Sequence, residues 1–281
     1  LVLRTHADLD LTNQKEAANF FTTEKPEYVF LAAAKVGGIL DNSKYPADYL
    51  YQNIQIQNNV IHNAYCSGVK KLLFLGSSCI YPRDCPQPIK EKYLLTAPLE
   101  ATNEPYAIAK IAGIKMCQNY NRQYGTNFIA AMPTNLYGPF DNFDLQSSHL
   151  LPALIRKFHD AKIGKTPEVI VWGTGKPMRE LLHVDDMASA CLYMMEHFDP
   201  THEQNEAGDI FMNIGTGTDL TIKEIVNLVQ KITGYEGSVT WDASKPDGTP
   251  RKLLNVDRIH ELGWKHTIEL MDGIASTYDW F

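Results

Sequence analysis

Tyr106 and Lys110 stand four positions apart in Tyr-Ala-Ile-Ala-Lys, a spacing that puts both side chains on one face of a helix. Earlier in the chain, Ser77 closes the apolar run Lys71–Gly76, which reads as a buried strand. A phenol, an ammonium and a hydroxyl form the set that protonates an alkoxide as hydride reaches a carbonyl carbon. Tyrosine, with a reference pKa of about 10, is a poor proton donor near neutrality unless its anion is stabilised. A neighbouring ammonium does that by opposite charge, and a hydroxyl adds a hydrogen bond to the carbonyl oxygen. Tyr106 is therefore expected as the acid, Lys110 as the group that tunes it, and Ser77 as the residue that orients the substrate. Alone, Tyr-x-x-x-Lys reads equally well as a solvated helix face. The Ser after a buried strand singles it out, because ligands of open α/β sheets sit beyond the carboxyl ends of the strands.

The elements that must carry these groups alternate. Leu1–Thr5, Tyr28–Ala33, Lys71–Gly76 and Phe128–Met132 read as strands, with helices over Asp10–Glu24, Asp48–Ser67 and Glu104–Tyr124 between them. That order predicts an α/β fold with a doubly wound parallel sheet of Rossmann type. Past Pro133 the pattern loosens. Pro139, Asp141 and Asn142 mark a loop, a helix covers Ser147–Lys162, a strand Val169–Trp172, and Gly173, Gly175 and Pro177 a turn. A helix over Val184–His197, a strand over Ile210–Ile214 and a helix over Thr221–Thr233 follow, the last opened by a Thr221/Glu224 capping box. Residues 1–138 are expected to form a nucleotide-binding domain and 139–281 a smaller mixed α/β substrate domain, some elements within 180–216 returning to the first.

Composition narrows the classes. A chain of 281 residues that is 44% hydrophobic and 21% charged can bury a full core and is not disordered. A net charge of -7 argues against a broad basic face for nucleic acid. Five cysteines, an odd number without a Cys-x-x-Cys, fit a reducing compartment and hence the cytoplasm. No apolar run has the length of a membrane span, and no secretory leader is seen. The compact His183-Val-Asp-Asp186 run is poor evidence for a metal site, and no metal is expected. The chain opens within the apolar run Leu1-Val2-Leu3, and no Gly-rich dinucleotide turn is found, since Val36-Gly37-Gly38 follows a later strand. The sheet is accordingly expected to lack its first strand and Gly loop here, with weakened cofactor binding and marginal stability as consequences.

Longer runs make the pattern specific. Ala32-Ala33-Ala34-Lys35-Val36-Gly37-Gly38-Ile39, Leu75–Pro82 with Ser77 and Tyr81, Asn103–Lys110, Pro133–Pro139, Met178-Arg179-Glu180 and Lys245–Lys252 together resemble the GDP-L-fucose synthases of the extended short-chain dehydrogenase/reductase family. The resemblance covers nearly the whole chain. It implies NADPH-dependent epimerisation at C3 and C5 of GDP-4-keto-6-deoxy-D-mannose, then reduction at C4. By that resemblance Cys79 and His149 move the protons at C3 and C5. A thiol with a reference pKa near 8.5 needs only a modest downward shift to act as a base, and imidazole suits acid work near neutrality. Read alone, Cys79 is a small buried residue after a strand and His149 a helix-start histidine.

The resemblance also implies cofactor contacts from Ala32, Ala33, Ala34, Leu75, Gly76, Ser77, Ser78, Lys110, Pro133, Thr134, Asn135 and Leu136, with Arg4 or His6 toward the 2′-phosphate that distinguishes NADP(H). It implies substrate contacts from Asn135, Lys157, Trp172, Arg179 and Asp247, and a homodimer through the helices Asp48–Ser67 and Glu104–Tyr124. Two readings compete. One is another nucleotide-sugar epimerase or dehydratase, although dehydratases need a Glu beside the Ser where this chain has Ser78-Cys79. The other is a non-catalytic dinucleotide-sensing or scaffold protein, favoured only by the absent Gly turn.

Overall fold

The computed structural model describes every residue except Gln146 and Pro246, and every other side chain except those of Ile39 and Leu40. In chain order the first half runs α1 (Gln14–Glu24), β1 (Tyr28–Leu31), α2 (Ile39–Lys44), α3 (Pro46–Cys66), β2 (Lys71–Leu75), α4 (Glu104–Tyr124) and β3 (Phe128–Pro133). The second half continues with β4 (Asn135–Tyr137), α5 (Leu150–Ile163), β5 (Glu168–Trp172), β6 (Met178–Arg179), β7 (Leu181–His183), α6 (Val184–His197), α7 (His202–Ala207) and β8 (Phe211–Ile214). It ends with β9 (Leu220–Thr221), α8 (Ile222–Thr233), β10 (Ser238–Asp242), β11 (Arg251–Lys252), α9 (Asp257–Leu262) and α10 (Leu270–Trp280). The chain forms two compact units.

The first unit comprises Leu1–Pro82, Leu94–Met132 and Cys191–Met212. Its sheet has the order β1-β2-β3-β8, with β1–β2 and β2–β3 parallel. This is the Rossmann-like α/β arrangement. Parallel strands joined by helical crossovers need cover on both faces, which is why β2 and β3 are almost continuously buried. Lys71, a charged residue in that buried row, is satisfied by donating to the carbonyls of Met194 and Met195 and to the Asp199 carboxylate. Helix α4 begins with Pro105 in its first turn and stops at Gly125, whose left-handed backbone (φ 66°) closes the last turn. It packs along α3, where Gly113 lets the helices and β2 approach: a Cβ there would sit 2.5 Å from the Phe74 ring.

The expected strand over Leu1–Thr5 is not formed. The segment is irregular and exposed. A strand exists by pairing its N–H and C=O groups with a neighbour, and among the described residues no strand pairs with this segment. The next strand in the chain, β1, is an edge of the sheet, bonded on one side to β2 and leaving Tyr28 and Phe30 exposed.

The second unit comprises Arg83–Tyr93, Pro133–Ala190 and Asn213–Phe281. It holds the small sheets β10-β5, β11-β6-β9 and β4-β7. Its core joins α5, α8 and α10 around Leu154, Phe158, Val229 and Ile274. The capping box that opens α8 is present in both directions between Thr221 and Glu224. Helix α5 begins later than the sequence suggested, at Leu150, because the preceding loop closes on itself: Asp144 accepts from the amide and hydroxyl of Ser147, and Asn142 donates to the Ser147 hydroxyl.

Candidate active site

Strand β2 ends at Leu75, and Gly76 follows in full burial. A Cβ there would lie 2.3 Å from the Met132 sulfur, so the glycine leaves room for the end of that side chain. Its amide keeps the ladder going by donating to the Ala131 carbonyl. Ser77 then leaves the sheet in an extended conformation, and its hydroxyl accepts from the amide of Cys79 at 3.2 Å, capping a single 3-10 turn over Ser78–Ile80. Ser78 is buried and Cys79 half-buried. The turn packs against α4.

From α4, Tyr106 and Lys110 reach the same place. The Ser77 hydroxyl lies close enough to the Tyr106 phenol to favour its anion. Lys110 is 3% exposed; its Nζ lies 5.9 Å from the centre of the Tyr106 ring and 4.8 Å from that of Phe74, and it donates to the Leu75 carbonyl at 2.7 Å. Burial pushes the Lys110 amine down to about 8. Burial pushes the Tyr106 phenol up, the Cys79 thiol adds to that, and the Ser77 hydroxyl opposes it. Near neutrality the cluster therefore presents a protonated phenol and a charged ammonium. Such a phenol can donate a hydrogen bond to a carbonyl or enolate oxygen and then its proton to an alkoxide.

Tyr49 was not legible as part of a site from local pattern. This α3 side chain is fully buried, meets the Tyr106 ring edge to face at 6.4 Å and donates to Asp41 at 2.5 Å. Gly37 makes room for it, since a Cβ there would fall 2.1 Å from the Tyr49 hydroxyl. The signal available in the sequence was only a Tyr at helical spacing among apolar neighbours, which is no signal for a site.

Elsewhere in the first unit, Ala32 and Ala33 are exposed directly after β1, and Ala34 is half-buried. Small exposed side chains at the carboxyl end of a parallel strand leave the backbone open to a flat or anionic ligand. Arg4, expected to face a phosphate, is ion-paired with Glu24 and lies over the Phe20 ring, while His6 is exposed.

In the second unit His149 is the exposed N-cap residue of α5 and makes no side-chain cap. It stands close enough to the Asp141 carboxyl to offset part of the rise that burial causes there. Asn135 and Thr134 both donate to the Glu180 carbonyl, at 3.0 and 3.3 Å. Glu180 is itself fully buried, and its carboxylate accepts from the amides of Gly217 and Leu254 at 2.8 and 2.9 Å. Pro133 and Leu136 are partly buried on either side of Thr134 and Asn135.

Lys157 and Trp172 line one open cleft of about 450 Å³ together with Asp160, Glu168 and Asp242. Lys157 donates to the Ile170 carbonyl, and burial pushes its amine down. Arg179 and Asp247 influence one another electrostatically, yet each already has partners. Arg179 donates to the carbonyls of Met178 and Thr249, and Asp247 accepts from the amide and hydroxyl of Thr174. Pro246, part of the turn read around Asp247, lies outside the described residues. The His183–Asp186 run is structural: Asp186 anchors Thr267 and Ile268, and His183 accepts from the Asp185 amide.

A phenol, hydroxyl and ammonium meeting at the end of a parallel strand define a dehydrogenase/epimerase type of site, and the whole-chain comparisons agree. The chain belongs to the NAD dependent epimerase/dehydratase family, whose profile matches residues 2–215. Within it the chain is similar to GDP-L-fucose synthases: 57% identical to GDP-L-fucose synthase 1 of Arabidopsis thaliana, covering 100% of this chain and 84% of that protein. It is 56% identical to the GDP-L-fucose synthase of Escherichia coli K12, with 100% and 88% covered. Among solved structures, a GDP-D-glycero-L-gluco-heptose synthase from Campylobacter jejuni determined in the presence of NADPH superposes with a TM-score of 0.93 at 42% identity, with 100% and 90% covered.

Proposed function

We propose that this chain converts GDP-4-keto-6-deoxy-D-mannose to GDP-L-fucose, epimerising C3 and C5 and reducing the C4 ketone with NADPH. The observation that carries the reading is the Ser77–Tyr106–Lys110 cluster at the carboxyl end of β2, with Cys79 on the turn that Ser77 caps. Tyr106 and Ser77 hydrogen-bond the C4 oxygen. While C3 and C5 are epimerised that oxygen carries enolate charge, and on reduction it carries alkoxide charge, so one pair of donors serves both stages. Cys79 removes the protons beside the ketone and His149 returns them on the opposite face. In the last stage Tyr106 gives its proton to the alkoxide, and the Lys110 ammonium stabilises the phenolate left behind.

NADPH, when bound, supplies hydride to C4. Ala32–Ala34, Leu75–Ser78, Lys110 and Pro133–Leu136 hold it, with Arg4 or His6 toward the 2′-phosphate. Arg4 must leave Glu24 to serve there. Asn135, Lys157, Trp172, Arg179 and Asp247 hold the GDP-sugar: Trp172 offers an exposed ring for stacking, and Lys157 and Arg179 offer charge to the diphosphate. Lys157, a point charge, binds phosphate without the forked geometry of an arginine. The protein acts as a homodimer through α3 and α4, in the cytoplasm; among the described residues no helix is long and apolar enough to cross a membrane.

The test is product analysis. Incubation with the keto-sugar and NADPH should give GDP-L-fucose with one NADPH oxidised per product. A product formed without net oxidation of NADPH would instead indicate a simple epimerase.

A further inference from the structure

Strand β1 stops at Leu31, so Ala32–Lys35 has no ladder to hold it, yet its backbone is fixed. The Lys35 amide donates to Asn53 Oδ1 at 2.9 Å and the Lys35 carbonyl accepts from Asn53 Nδ2 at 3.0 Å. Asn53 lies on α3, is 2% exposed, and gives its other N–H to the Tyr49 carbonyl at 2.7 Å. Both donors and the oxygen of its amide are thus engaged inside the protein. The side chain replaces a strand neighbour at one residue, immediately after the exposed Ala32 and Ala33.

We propose that Asn53 is a positioning residue for the dinucleotide: by gripping Lys35 at both backbone atoms it holds Ala32–Ala34 in the shape against which NADPH packs. This rests on the cofactor reading given above for those alanines. Asn53 touches no reacting atom and acts through the loop alone. Loss of the grip leaves the loop to sample other conformations, and the ordering cost then falls on cofactor binding.

The first unit contains a second clamp of the same geometry. Asn121 on α4 accepts from the Phe128 amide and donates to the Phe128 carbonyl, both at 2.8 Å. It grips the N-terminal end of β3, away from the carboxyl ends where ligands bind. It therefore reports what such a clamp contributes to stability alone.

The full chain, Asn53→Leu, Asn53→Ala and Asn121→Leu are compared by thermal midpoint, by NADPH titration through fluorescence, and by steady-state kinetics. Asn53→Leu and Asn121→Leu should both lower the midpoint. Only the Asn53 variants should weaken NADPH binding, by about tenfold for Asn53→Leu and less for Asn53→Ala, where water can replace lost bonds. kcat at saturating NADPH and KM for the GDP-sugar should stay within about twofold in both. Unchanged NADPH affinity in Asn53→Leu, or an equal loss in Asn121→Leu, would overturn the proposal and leave a structural clamp. If Asn53→Leu does not fold, Asn53→Ala decides by the same criterion. Absence of NADPH binding by the unaltered chain would overturn the cofactor reading itself, and this proposal with it.

Discussion

Lys110 directs its ammonium at the carbonyl of Leu75, 2.7 Å away, while standing 5.9 Å from the centre of the Tyr106 ring. The bond fastens α4 to the end of β2 and so sets the separation of Tyr106 from Ser77. It does not fully offset the loss of water around the charge: burial brings the amine from 10.5 to about 8. A group whose folded-state value lies below its unfolded one opposes folding in full below the folded value, and the penalty fades as pH rises toward the unfolded value. The cost is on the order of 3 kcal/mol. Lys110→Met should therefore melt higher than the unaltered chain at pH 7, with the difference shrinking between about pH 8 and pH 10.5, while C4 reduction is lost. Thermal scans across that pH range check it; a destabilised Lys110→Met at pH 7 would mean the Leu75 bond outweighs burial.

Tyr106→Phe removes the proton donor and keeps the ring against Tyr49. C4 reduction should fall by about 10²–10⁴-fold with little change in KM. Ser77→Ala should have a smaller effect of the same kind, since the phenol remains. Initial rates of NADPH oxidation measure both.

Cys79→Ser keeps the hydrogen bond from its backbone N–H to the Ser77 hydroxyl and exchanges thiol for hydroxyl. Exchange of the C3 and C5 protons into solvent should stop while C4 reduction continues on the unepimerised sugar. Exchange at the wild-type rate would remove Cys79 from the role of base.

Glu180→Gln turns an acceptor of the Gly217 and Leu254 amides into a group with an N–H facing one of them. The site is fully buried and has no room to rearrange, since a Cβ at Gly215 would already lie 2.2 Å from the carboxylate. Stability should drop by about 1–3 kcal/mol. Denaturant titration at neutral pH measures it.

The parallel sheet was legible because buried strands write themselves as unbroken apolar runs, and the readings Lys71–Gly76 and Phe128–Met132 each fell within a residue of β2 and β3. Helix α4 was read as Glu104–Tyr124, the span it has in the structure. Leu1–Thr5 was misread because an apolar run only states that burial is favoured, not that a pairing partner stands beside it. That Ser77, Tyr106 and Lys110 stand together was read from chemistry and spacing. Tyr49, Asn53 and Glu180 were not read that way, because their importance lies in contacts between segments far apart in the chain, such as Asn53 with Lys35, and no local pattern encodes these. Arg4 illustrates the reverse: its charge was correctly noticed, but its pairing with Glu24 depends on how the start of the chain lies along α1.

The most direct test is to run the reaction with GDP-4-keto-6-deoxy-D-mannose and unlabelled NADPH in deuterated water and to examine the sugar by NMR. The account predicts GDP-L-fucose carrying deuterium at C3 and C5, none at C4, and one NADPH oxidised per molecule formed. A C4-reduced product with hydrogen retained at C3 and C5 would contradict it, leaving a reductase without epimerase activity.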